Sequence, residues 1–302
     1  MKHYVIGLGE VLFDCLPTGR KLGGAPANFA FHVSQFGFDS CVISAIGDDE
    51  LGREITGRFD EVGLCYHLPM VNYPTGTVRV MLDANGIPSY DICLGAAWDN
   101  IPLTEENLAI ARNARAVCFG TLAQRSETSR NTIHTLLNAM PTNALRFFDI
   151  NLRQHWYSQE VIENSLRLCN ILKINDEELD VVAPMLLDTE VFPDRLIASN
   201  EQKTTDVCRA LISAYAIRIV VLTCGAHGSY VITADEVSHC TTPQVEVADT
   251  VGAGDSFSGT FVAQLLRGKS IREAHEKAVA VSAYVCTQQG PMPFLPDWLL
   301  ND

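Results

Sequence analysis

Six short apolar runs, Tyr4–Leu8, Ser40–Ile46, Ala116–Phe119, Arg146–Ile150, Ile171–Ile174 and Ile217–Thr223, alternate along this chain with stretches whose apolar residues recur at three and four positions. Strands rich in β-branched and apolar residues are covered on both faces, and strands separated by helices run parallel. The pattern predicts an α/β fold, a mostly parallel sheet with helices on both faces. Ala25–Phe36 is one expected helix, and Asp255–Arg267, with Phe257, Phe261, Leu265 and Leu266 on one side, is another.

One segment breaks the alternation. Thr75–Leu82 alternates in strand fashion, Asn85-Gly86 is a hairpin signal, and Tyr90–Leu94 can return as the partner strand. A hairpin interrupting a βα series predicts a small β-flap projecting as a lid, or else an edge hairpin of the main sheet. No internal repeat or linker divides the 302 residues, and Pro184–Thr205 reads as a surface excursion.

Composition narrows the function. With 47% hydrophobic and 19% charged residues the chain can build a core, and no apolar run approaches the ~18 residues of a membrane span. A net charge of −14 without a basic cluster disfavours nucleic acid and acidic membranes as partners. The first residues lead straight into a strand-like run with no secretory pattern, so a soluble, cytoplasmic protein is expected. Ten cysteines without Cys-x-x-Cys pairs or zinc-ligand spacing read as reduced, mostly buried thiols.

Asp249-Thr250-Val251-Gly252-Ala253-Gly254-Asp255 carries the strongest chemical signal. It follows the strand-like Val245–Val247 and opens a helix. Gly252, Ala253 and Gly254 can aim backbone amides at one point, and the helix N-terminus adds positive potential, which suits a transferring phosphoryl group. Asp255, one step on, can take a proton from a hydroxyl in line with that group; its alternative role is to cap the helix. Near the N-terminus Asp14, Gly23, Gly24 and Asn28 offer the carboxylate, amide and close backbone approach that suit a polyol, though a plain turn and a strand end would leave the same residues.

Two stretches resemble the signatures of the ribokinase-like (PfkB) sugar kinases, GGAPANFAFHVSQFGFDSCVISAIG at Gly23–Gly47 and DTVGAGDSFSG at Asp249–Gly259. The resemblance runs almost from end to end. It implies one ribokinase-like domain over residues 1–302 with a lid from about residues 10–20 and 75–98, closing over the sugar and pairing with the lid of a second subunit in a homodimer. It implies ATP and Mg²⁺, Asp255 as the base with Gly252, Ala253 and Gly254 as anion hole, and Asp14, Gly24 and Asn28 on the sugar. Asn175 and Glu178 resemble the Asn-x-x-Glu motif that places Mg²⁺ through water, and their spacing is also that of a capping box. Thr223, Gly225 and Gly228 resemble the turn beside the ATP phosphates, and Ala274–Tyr284 with Gly290 the adenine region. A monovalent cation such as K⁺ is implied near Asp249, where Pro291 departs from the family's small residue.

Asp149-Ile150-Asn151-Leu152-Arg153 resembles fructokinases and 2-keto-3-deoxygluconate kinases more than ribokinase itself, and Arg153 is an anion donor for ATP or for a substrate carboxylate. The openings Gly9–Asp14 and Gly24–Asn28 resemble fructokinases most, so fructose is the expected sugar and 2-keto-3-deoxygluconate the alternative. A non-catalytic sugar-binding regulator is the alternative of another class, disfavoured by the intact Asp255. Gly7-Leu8-Gly9 lacks the further glycine of a dinucleotide fingerprint.

Overall fold

A computed structural model of the chain describes residues 3–16, 19–82, 88–187 and 201–301. The N-terminal third holds β1 (Tyr4–Leu8), β2 (Leu12–Leu16), β3 (Gly19–Gly23), α1 (Ala25–Gln35), β4 (Ser40–Ile43), β5 (Ile46–Gly47), α2 (Glu50–Glu61), β6 (Cys65–His67), β7 (Met70–Val71), β8 (Gly76–Leu82) and β9 (Pro88–Ile92). There follow α3 (Glu105–Arg112), β10 (Ala114–Phe119), α4 (Glu127–Ala139), β11 (Leu145–Asp149), α5 (Gln159–Leu168), β12 (Ile171–Asn175) and α6 (Asp176–Leu186). The rest is α7 (Glu201–Tyr215), β13 (Ile219–Thr223), β14 (Ser229–Ile232), β15 (Val237–Cys240), α8 (Ala253–Leu266), α9 (Ile271–Cys286) and α10 (Asp297–Leu300).

The main sheet has the order β15-β14-β13-β12-β11-β10-β1-β4-β6 and is parallel except at β14 and β15. Side-chain alternation explains why its strands read as continuous apolar runs. Val5, Ala116, Cys118 and Phe147 face α1, α8 and α9, packing with Phe29, Phe257 and Phe261. Their neighbours Ile6, Val117, Phe119 and Phe148 face the helices of the opposite layer, with Leu136, Leu166 and Leu211.

A second sheet of four strands, β3-β2-β8-β9, stands apart from the first. Its β8/β9 pair is antiparallel and β2 joins β8 in parallel, so two hairpins share it. The sheet takes in residues up to Gly23 and stops at Ile92; residues 97–100 instead form a short 3₁₀ helix with Trp98 fully buried. Arg125 anchors that return: it forks onto Asp99 with two bonds of 2.8 Å, donates to the Cys93 carbonyl at 2.6 Å, and lies between the Trp98 and Trp156 rings.

Three expectations need amendment. The run Ser40–Ile46 is two strands, β4 and β5, split by Ser44 and Ala45. Val245–Val247 is no strand: the segment crosses the end of α9, where the amides of Ala248 and Asp249 bond the Cys286 carbonyl at 2.8 and 3.3 Å, leaving no neighbouring ladder. Pro184 lies inside α6, while the middle of Pro184–Thr205 and the Asn85-Gly86 turn lie outside the described residues. No cysteine is in a disulfide, and five of the ten are buried. Among the described residues no helix is long and apolar enough to cross a membrane.

Candidate active site

Strand order reverses at β1, whose neighbours are β4 on one side and β10 on the other. In open α/β sheets such a reversal opens a crevice at the carboxyl ends of the strands. Glu10 follows β1 there, Asp149 ends β11, Lys173 lies in β12, and Asn175 and Thr223 are register partners where β12 and β13 end.

Two helices close the crevice, and small residues set how near they come. A Cβ on Gly259 of α8 would lie 2.9 Å from the Phe29 carbonyl oxygen of α1, so only glycine permits this crossing. The approach brings Asn28 Nδ2 to donate to Asp255 Oδ2 at 2.7 Å. Asn28 is buried, and its Oδ1 has no hydrogen-bond partner among the described residues. A buried acceptor left open is uncommon enough to mark a place where a ligand donor fits. Gly24, the N-cap of α1, has φ 119°, and a Cβ there would meet the Glu10 carbonyl at 2.5 Å. Asp14 reaches over Gly23, where a Cβ would stand 2.8 Å from its Oδ2. Burial raises the Asp14 carboxyl above the usual range, against the pull of Arg153 and Lys21.

The other end of the crevice is built for negative charge. Gly252 caps α8 in the left-handed region, φ 79°, without any side-chain cap, so no side chain occupies the first-turn amides of Gly254 and Asp255, while the Ala253 amide bonds the Thr250 carbonyl at 3.3 Å. Asp255 is therefore the third helical residue and not the cap. Lys173, itself buried, donates to Asp149 Oδ2 at 2.7 Å, and a Cβ on Gly254 would lie 3.2 Å from its Nζ. Burial alone would lower the Lys173 pKa; Asp149 reverses this and raises it, so the ammonium keeps its charge. Asp255 is raised to about 6, chiefly by burial and by the nearby Asp149, while Asn28, Lys173 and Arg153 oppose the rise.

Asn175 and Glu178 form the capping box of α6: the Glu178 amide bonds Asn175 Oδ1 at 2.8 Å and the Asn175 amide bonds Glu178 Oε2 at 2.9 Å. Glu178 Oε1 also accepts from the Leu152 amide at 2.8 Å, which pins the loop of Asn151, φ 44°, and Arg153 beside the crevice. Arg153 is exposed, and its charge is felt at Glu10, Asp14 and Asp255. No cluster of three His, Cys, Asp or Glu side chains among the described residues would hold a metal alone. Around Asp249 the groups are donors: the Val251 amide at 3.0 Å, the Gly290 amide at 3.2 Å and Lys21 Nζ at 3.2 Å. Burial works against ionisation there, but these donors hold Asp249 below its ordinary pKa. Donors on both oxygens suit a carboxylate and do not suit a cation, so no role for K⁺ is derived.

Gly225, φ 52°, and Gly228, φ 102°, bound the turn after β13, and the Gly225 carbonyl accepts from Thr242 Oγ1 at 2.6 Å. A separate hollow of 510 Å³, between Gln35, Phe38, Val62 and Leu295, opens at the other end of the sheet, where β4 begins.

Residues 9–298 match the model of the pfkB family carbohydrate kinases. The chain belongs to that family. It is 29% identical to the fructokinase of Escherichia coli, covering 96% of this chain and 95% of that one, and 26% identical to an ATP-dependent 6-phosphofructokinase of Thermoanaerobacterium thermosaccharolyticum, covering 98% and 92%. Its fold matches the crystal structure of Vibrio cholerae fructokinase with fructose, ADP and calcium ion bound, with a TM-score of 0.79 at 23% identity over 99% of this chain and 97% of that one. In this sugar kinase three polar groups of the crevice were not singled out as site residues from sequence: Glu10, Asp149 and Lys173. Asp149 was visible through its motif, whereas Lys173 sits inside an apolar strand and only the facing Asp149 reveals its charge pair.

Proposed function

We propose that this kinase transfers the γ-phosphoryl group of ATP to a hydroxyl of D-fructose, with Asp255 as general base. The observation that carries the proposal is the Asn28–Asp255 contact: one side chain with an open acceptor for sugar, bonded to a carboxylate at the uncapped start of α8. Asp14, Gly23, Gly24 and Asn28 hold the sugar, and the β3-β2-β8-β9 sheet closes over it as a lid. ATP enters as its Mg²⁺ complex, its phosphates running past Thr223, Gly225 and Gly228 to the α8 amides. Asn175 and Glu178 would hold Mg²⁺ through water, as a hard, partly hydrated cation prefers, and the ion would offset charge on the phosphates.

Phosphoryl transfer of this kind needs position and charge stabilisation more than a strong base. In this reading the amides of Gly252, Ala253 and Gly254 and the Lys173 ammonium take up the charge that develops on the phosphoryl oxygens. Asp255 accepts the hydroxyl proton, and Asn28 fixes the carboxylate's orientation. Arg153, exposed beside the acids of the sugar end, meets the nucleotide phosphates as the complex closes. The openings Gly9–Asp14 and Gly24–Asn28 and the fructokinase relatives favour fructose, while the Asp149–Arg153 segment fits fructose and 2-keto-3-deoxygluconate alike.

The test is ADP release from MgATP with fructose, 2-keto-3-deoxygluconate, fructose 6-phosphate, ribose, glucose and adenosine offered separately. Turnover on fructose far above the others is expected. Preference for either anionic sugar would reassign Arg153 to that anion and refute fructose.

A further inference from the structure

The mechanism above leaves one buried acid of the crevice without a task. Glu10 is 4% exposed, and its Oε2 has no hydrogen-bond partner among the described residues. It lines a small hollow with Thr121, Asp149 and Asn151 at the strand-order reversal, with room for about one water. The ionisable groups around it are Asp149 of β11, Asp255 of α8, Arg153 of the loop after β11 and the buried thiol of Cys118 in β10. Of these only Arg153 is cationic. A carboxyl oxygen so placed requires a partner, and a sugar hydroxyl, which both donates and accepts, satisfies it whether the carboxyl is neutral or ionised. A carboxylate on the ligand has no proton to give and a phosphate at most one, and either meets Glu10 and Asp255 beside an Asp149 whose charge Lys173 balances.

We infer that Glu10 reads the charge of the sugar: it hydrogen-bonds a hydroxyl of an uncharged sugar, directly or through one water, and turns away sugars bearing a carboxylate or phosphate at that end. The inference rests on the kinase reading above and names the substrate class of the same site. Burial raises Glu10 to about 7, with Asp255 and Asp149 adding to the rise and its own amide and Arg153 opposing it. Discrimination is therefore weaker below that pH, where the protonated acid can donate to an anion, and full above it, where two like charges would meet.

The experiment compares kcat/KM for fructose with that for 2-keto-3-deoxygluconate, whose carboxylate stays ionised throughout, at pH 6 and pH 8. The dependence through Asp255 as base is common to both substrates, and the part in which its charge repels the sugar acid remains in Glu10→Gln. The fructose preference is expected to grow by about tenfold or more from pH 6 to pH 8, and in Glu10→Gln to grow only by the smaller Asp255 part. A residue that merely shaped the floor would not give the ratio a pH step. The wild-type series needs no variant to fold, and calorimetric binding of the two sugars follows the same pH step in affinity without turnover. Turnover of fructose with a flat ratio, or an equal step in Glu10→Gln, would overturn the Glu10 assignment alone. Preference for the sugar acid at pH 8, or binding of neither sugar, would overturn both it and the fructose proposal.

Discussion

If Asp255 is the base, its titration sets the acid limb of the rate. Its carboxyl is raised to about 6, so roughly nine-tenths of the molecules carry the charged base at pH 7 and roughly one-tenth at pH 5. With kcat/KM proportional to the charged fraction, the rate on fructose falls about tenfold between those pH values. An aspartate at its ordinary value of 3.8 would lose under about a tenth of its rate over the same span. ADP release at subsaturating sugar and fixed MgATP measures the limb. Asp255→Asn, expected to lower kcat by ~10²–10⁴, supplies the background in which the base no longer titrates. Asn28→Ala removes the hydrogen bond that favours the charged carboxylate, so the limb moves to higher pH. A rate that is flat from pH 7 to pH 5, or a limb indifferent to Asn28→Ala, refutes the assignment of the base.

The same carboxyl links activity to stability. An acid raised from 3.8 to about 6 on folding binds more protons folded than unfolded, so stability declines as pH rises through that window and the loss persists above it; Asp255→Asn should melt higher than wild type at pH 8 in calorimetry, and a lower melting point would count against the buried charge. Gly24→Ala places a Cβ 2.5 Å from the Glu10 carbonyl at φ 119°, which costs ~1–3 kcal/mol for the backbone alone and should appear in urea unfolding together with a raised sugar KM; a change below about 0.5 kcal/mol would mean that the loop relaxes freely. Lys173→Met strands the buried Asp149 carboxylate and should destabilise by ~3–5 kcal/mol, while adding Asp149→Asn restores stability without restoring MgATP affinity. Lys21→Met breaks a half-exposed pair with Asp249 and should change stability by no more than ~1 kcal/mol.

What the sequence disclosed and what it hid divide along physical lines. The strands from β10 to β13 were legible because burial on both faces makes Ala114–Phe119 or Ile219–Thr223 apolar almost throughout. The β14/β15 hairpin was not, since Val237–Cys240 is short and half exposed and carries no such run. Val245–Val247 failed in the opposite sense: its alternation mimics a strand, but alternation records only that one side is wetter than the other, and the ladder partner that makes a strand is supplied by tertiary structure. Local motifs likewise named the glycines and Asp255 from chain-local chemistry. The pairing of Asn28 with Asp255 spans 227 residues and depends on the close crossing at Gly259, so no local pattern encodes it. Glu10 shows the limit most sharply. Beside a strand end a glutamate is ordinarily solvated, and only the arrival of Asp149 and Asp255 from other elements makes its charge expensive and its open oxygen informative.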